Sequence, residues 1–119
     1  MADILLAEDD EAMRVFLARA LRQAGHRVVA VSDGAQALEH ANTEEFELLL
    51  TDVVMPELDG IELARQATLE NEQLKVIFIT GFAAVAVENR DGPLRETQVI
   101  SKPFHLRDLV TEVERTLAA

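Results

Sequence analysis

Four short apolar runs in this 119-residue chain end on side chains that could do chemistry. Residues 4–7 lead to Glu8, Asp9 and Asp10, and residues 46–50 lead to Thr51 and Asp52. Residues 76–79 lead to Thr80 and Gly81, and residues 99–100 to Ser101, Lys102 and Pro103. If these ends meet, several acids, one hydroxyl and one lysine share a site. Two carboxylates about 4 Å apart repel by roughly 4 kcal/mol at an effective dielectric near 20. A small domain is stable by only ~5–15 kcal/mol, so Glu8, Asp9 and Asp52 need compensation beyond one lysine. An all-oxygen site with few protein ligands suits Mg²⁺. A carboxylate beside such a cation can attack a phosphoryl group, because the charge of the incoming oxygens is neutralised and the nucleophile held in line. Thr80 could then donate its hydroxyl to the transferred group, and Lys102 could pair with it.

The elements between these ends explain how they could converge. The apolar runs at 4–7, 28–31, 46–50, 76–79 and 99–100 are too continuous for strands with one wet face, and read as strands of a parallel sheet covered on both sides. Helix patterns alternate with them. From Asp10 to Ala24, the residues Met13, Phe16, Leu17, Ala20, Leu21 and Ala24 form one stripe, and Gly25 is a C-terminal stop. Asp33-Gly34 opens a second helix through Leu38 to Ala41, and Asp59 with Glu62 resembles a cap for a third, from about Gly60 to Leu69. Leu106, Leu109, Val110, Val113 and Leu117 repeat at helical spacing in the last segment. Residues 82–87 are apolar all round and rich in valine, so a helix there is short or weakly specified. Five β-α units imply one α/β domain spanning residues 1–119 with right-handed crossovers, and ligand sites of such sheets lie at the carboxyl ends of the strands.

Bulk composition narrows the function. With 49% hydrophobic residues the chain can build a core. Its net charge of −11 argues against nucleic acid and against a membrane surface as partner. The absence of cysteine excludes disulfides, thiolate catalysis and cysteine-ligated zinc. No signal peptide pattern and no run of transmembrane length is present, so a cytoplasmic protein is expected.

Four motifs, Glu8-Asp9, Asp52 within Leu-Thr-Asp-Val-Val-Met-Pro-Glu-Leu-Asp-Gly, Thr80-Gly81 and Lys102-Pro103-Phe104, occur in order at the right strand ends. In this the whole chain resembles the CheY-like receiver domains of two-component response regulators. The resemblance implies a flavodoxin-like doubly wound sheet of five parallel strands in the order 2-1-3-4-5 with five helices. It implies that Asp52 accepts a phosphoryl group from a phosphohistidine and that Asp9 binds Mg²⁺ directly. It further implies that Glu8 acts through water, and that Asp52 and the Val54 backbone carbonyl complete the metal set. Thr80 is then the switch hydroxyl, Lys102 the charge partner, and the Lys102-Pro103 bond cis. One departure stands out: receivers often carry Tyr or Phe three residues before the lysine, where this chain has Val99. The aromatic of the relay is missing or moved to Phe82 or Phe104.

Plainer readings exist for several of these residues. Asp10 and Asp59 suit helix caps. His26, His40 and His105 have no ligand spacing and read as solvated surface side chains. Residues 82–87 either pack on the sheet or form a partner surface with Phe82, Val85, Val87, Val99 and Phe104. Leu117-Ala118-Ala119 reads as a fraying helix end, or as a match to tags read by the ClpX unfoldase. The expected protein is a monomer or weak dimer served by a histidine kinase or phosphotransfer protein. With no appended output expected, its output is a protein contact. Similarity of residues 4–10 and 99–104 to single-domain regulators of alphaproteobacteria implies an adaptor for ClpXP proteolysis that phosphorylation blocks. The alternatives are a small phosphohydrolase, disfavoured because Val54 stands where a general acid belongs, and a phosphate sink without a target.

Overall fold

The computed structural model describes residues 1–81 and 97–119. In chain order the elements are β1 (Asp3–Ala7), α1 (Glu11–Gln23), β2 (Arg27–Val31), α2 (Gly34–Thr43), β3 (Leu48–Asp52), α3 (Gly60–Glu70), β4 (Lys75–Thr80), β5 (Gln98–Ser101) and α4 (Leu106–Ala118). The strands form one parallel sheet in the order β2-β1-β3-β4-β5. Four helices lie among the described residues. The helix expected between β4 and β5 falls on residues 82–96, outside them.

Strand alternation divides the core in two. Ile4 and Leu6 of β1, Leu48 and Leu50 of β3, and Ile77 and Ile79 of β4 pack with Leu17 and Leu21 of α1 and Leu109 and Val113 of α4. Leu5, Leu49, Val76 and Phe78 point the other way, onto Ala37 of α2 and Leu63, Ala64 and Ala67 of α3. The central strands β1, β3 and β4 are therefore apolar on both faces, as the continuous runs predict.

Three aspartates start three helices. The Met13, Gln36 and Glu62 backbone N–H groups donate to Asp10, Asp33 and Asp59 at 3.0, 2.8 and 2.9 Å. Each bond satisfies an amide that the first turn leaves unpaired. Gly25, with φ of +100°, closes the turn after α1 as a C-terminal stop does.

Some expectations shift. Strands β3 and β4 run two and one residues further than the apolar runs, so Asp52 and Thr80 close their strands rather than follow them. The ladder continues through Thr51↔Phe78, Asp52↔Ile79 and Thr80↔Ser101, because backbone bonding does not depend on side-chain polarity. Phe46 precedes β3 instead of belonging to it. The buried stripe of α1 is Leu17, Ala18 and Leu21, while Phe16 is half exposed. Helix α4 continues to Ala118, and Lys75 Nζ donates to the Thr116 carbonyl at 2.8 Å and to that of Ala119.

Candidate functional site

The carboxyl ends of β1 and β3 and the turn after β5 meet at one edge of the sheet. Glu8 continues from β1, and its backbone N–H donates to the Val31 carbonyl at 3.1 Å. Asp52 ends β3, and the following Val53 N–H donates to the Ile79 carbonyl at 3.2 Å, holding the strand end straight against β4. Lys102 follows β5, tied by its N–H to the Thr80 carbonyl at 2.9 Å and followed by a cis bond to Pro103. These backbone bonds fix where three charged side chains emerge.

Those side chains then meet. Lys102 Nζ donates to Asp52 Oδ2 at 2.8 Å and to Glu8 Oε1 at 3.3 Å. Glu8 Oε2 accepts the Asp10 N–H at 3.2 Å, and Arg14 Nη1 donates to the Glu8 carbonyl at 3.0 Å. The Val54 N–H lies 3.4 Å from Asp52 Oδ1, long for a hydrogen bond. Oxygens of Glu8, Asp9 and Asp52 all lie within 4.8 Å of one another, with Glu8 and Asp52 buried and Asp9 exposed. One ammonium thus faces three carboxylates, and an all-oxygen set of this size fits a hard divalent cation.

Burial and charge tune the groups. Burial pushes the Glu8 carboxyl up to about 7, opposed by the Asp10 N–H and assisted by the nearby Asp52 charge. Burial alone would lower the Lys102 ammonium. Its hydrogen bond to Asp52 and the charges of Asp52 and Glu8 outweigh that and hold it above its ordinary value.

A family model described as the response regulator receiver domain matches residues 4–114. The chain belongs to the response regulator receiver family. It is 57% identical over 119 residues to the response regulator receiver protein CpdR of Brucella abortus, covering all of this chain and 99% of that one. It is 35% identical over 118 residues to the sensor kinase CckA of the same organism, covering 98% of this chain but only 12% of the kinase. The receiver domain of a sensor histidine kinase from Pseudomonas aeruginosa, solved with magnesium coordinated in its active-site cleft, superposes with a TM-score of 0.87 at 26% identity. That match covers 99% of this chain and 98% of the other.

Within this receiver, Glu8, Asp9, Asp52 and Lys102 come together as the spacing predicts, and Thr80 is wholly buried at the end of the neighbouring strand. Val54 borders the cluster and is 59% exposed. Val99 and Phe104 are not brought together. Val99 pairs with Phe78 and packs on the α2/α3 side, whereas Phe104 packs on the α1/α4 side. By strand alternation Thr80 faces the same side as Phe78, so Phe104 stands across the sheet from it. Phe82, Val85 and Val87 lie outside the described residues.

One reading is corrected. His26 is buried, not solvated: its Nδ1 accepts the Ala2 N–H at 3.1 Å and its Nε2 lies 2.6 Å from Glu114 Oε1. His40 is partly buried and bonded to Glu44 at 3.0 Å. Sequence reasoning also missed Arg14, whose signal is only its place one turn into α1, and Gly60. A Cβ on Gly60 would sit 2.0 Å from the Asp52 carbonyl oxygen, so only glycine lets α3 start against the acceptor strand. The Asp59-Gly60 pair carried that signal.

Proposed function

We propose that this receiver is a phosphorylation-controlled switch in which Asp52 accepts a phosphoryl group from the phosphohistidine of a kinase or phosphotransfer protein. The observation that carries the reading is the Lys102–Asp52 contact at 2.8 Å beside two further carboxylates. A carboxylate oxygen of Asp52 forms the new P–O bond as the P–N bond breaks, and the departing imidazole keeps its electron pair and takes up a proton. Glu8, Asp9, Asp52 and the Val54 carbonyl are the residues to hold Mg²⁺, which when bound neutralises the phosphoryl oxygens. Lys102 pairs with the transferred group, and Thr80 donates its hydroxyl to it. Only self-transfer and loss of that phosphoryl are expected, since Val54 gives no general acid for turnover of an outside substrate.

The output is a protein contact near β5 and α4, with Phe104 on its α1/α4 side; Val99 lies across the sheet and does not share that face, and Phe82, Val85 and Val87 fall outside the described residues. Similarity to CpdR along the whole chain supports a single-domain regulator. The finer reading is an adaptor for a ClpXP-type protease, active without phosphate, working in the cytoplasm as a monomer or weak dimer. Among the described residues no helix is long and apolar enough to cross a membrane.

Beryllofluoride, which mimics an acyl phosphate, tests the site reading. With Mg²⁺ present it should shift the amide resonances of Asp52, Val54, Thr80 and Lys102. Unmoved resonances at saturating beryllofluoride contradict the reading. For the adaptor, purified ClpXP should bind the untreated chain and release it on beryllofluoride addition; equal binding in both states removes the adaptor role.

A further inference from the structure

The loop of residues 53–59 joins β3 to α3 and carries Val54 beside the acceptor. It is pinned at its ends, where the Val53 N–H donates to Ile79 and the Gly60 N–H donates back to the Val53 carbonyl at 2.8 Å. Its middle is a tight turn, with Glu57 at φ of 72° and the Leu58 N–H donating to the Pro56 carbonyl at 2.8 Å. That turn rests on an element far away in sequence. Gly34, the first residue of α2, is buried, and a Cβ there would lie 1.9 Å from the Leu58 carbonyl oxygen and 2.8 Å from the Leu58 carbonyl carbon and Cβ. The nearest atom is backbone, so no flexible side chain can swing aside to make room.

We propose that Gly34 is a positioning residue for the phosphoacceptor site: by lacking a side chain it lets α2 seat the β3–α3 loop, and that seat sets where Val54 stands relative to Asp52. The proposal rests on the reading of Asp52 given above. Gly34 itself touches no reacting atom and acts only through Leu58. Real Cβ atoms stay beyond 3.0 Å, so Gly34→Ala has to part α2 from the loop by roughly an ångström. Displacements of about 1 Å near a reacting centre cost about 10²-fold in rate. Groups that orient metal ligands typically carry about 10–100-fold in affinity. Gly60 makes a similar approach to Asp52 but adjoins the acceptor in the same segment; Gly34 is the remote half of the cradle.

The test compares wild type, Gly34→Ala and Val113→Ala, the last a core truncation on the inner face of α4. Two quantities are read per folded molecule, with folded fraction from circular dichroism. They are the rate of phosphorylation by acetyl phosphate and the Mg²⁺ dissociation constant from amide shifts. Gly34→Ala should slow phosphorylation by about ten- to a hundredfold and weaken Mg²⁺ roughly tenfold. Val113→Ala should lose stability while keeping both values. Should Gly34→Ala not fold, Leu58→Gly carries the test. It adds no atom, removes the side chain that packs the loop, and should likewise slow phosphorylation and raise the Mg²⁺ dissociation constant. Wild-type rate and affinity in the folded variants overturn the proposal. Wild type that takes no phosphoryl group overturns the reading of Asp52 itself, and this inference with it.

Discussion

At the scale of single residues the site is an imbalance of charge. Lys102 bridges Asp52 and Glu8, and a hydrogen bond to a charged partner contributes about 1.5–3 kcal/mol. Lys102→Met should therefore destabilise the metal-free protein by about 1–3 kcal/mol, because it leaves the two carboxylates facing each other. Urea melts with and without millimolar Mg²⁺ should show most of that loss recovered by the cation; an equal loss in both conditions contradicts the charge account. Glu8 gives a second prediction. Its carboxyl is raised from 4.5 to about 7 in the fold, mainly by burial. Between those values the folded chain holds a proton that the unfolded chain has released. Stability of the metal-free protein should thus be fully present below about 4.5 and fall as pH rises toward 7, as far as this group decides it. Glu8→Gln should flatten that part of the pH profile. A profile identical to wild type places the titration elsewhere.

At the scale of elements, the sheet edge gathers residues that no helix could align, and the helices hold the edge in place. The N-caps Asp10, Asp33 and Asp59 were readable because the donating amide lies three residues on. His26 was not, because its partner Glu114 lies 88 residues away and its donor Ala2 lies 24 residues back, just before β1. The Ala2 N–H fixes Nδ1 as acceptor, so Nε2 carries the proton toward Glu114 and the ring ties the residue before β1 to α4. His26→Phe should cost about 1–3 kcal/mol, since it leaves the Ala2 N–H buried without a partner. Chemical denaturation measures this, and a change below about 0.5 kcal/mol, the range of ordinary surface substitutions, would show the junction to be incidental. Gly34 was hidden for the same reason as His26. As part of Asp33-Gly34 it reads as a helix start, and only the fold reveals Leu58 above it.

For the whole molecule, the meeting of the strands' carboxyl ends was legible from a handful of residues, whereas the strand order came only with the resemblance to receiver domains. Apolar runs too continuous for a half-wet sheet gave the layer type, and the acid, hydroxyl and lysine after them gave the edge. Strand lengths were less legible, since ladder pairing carried Thr51, Asp52 and Thr80 into strands that hydropathy had ended earlier. The aromatic relay was legible only as a gap at Val99. The fold sharpens that gap by placing Phe104 across the sheet from Thr80. The central claim, that this arrangement makes Asp52 a phosphoryl acceptor, is met most directly by acetyl phosphate with a phosphate-affinity gel as readout. Wild type should shift only when Mg²⁺ is present, and Asp52→Asn should not shift at all. An unshifted wild type, or Asp52→Asn shifting as fully as wild type, contradicts the account.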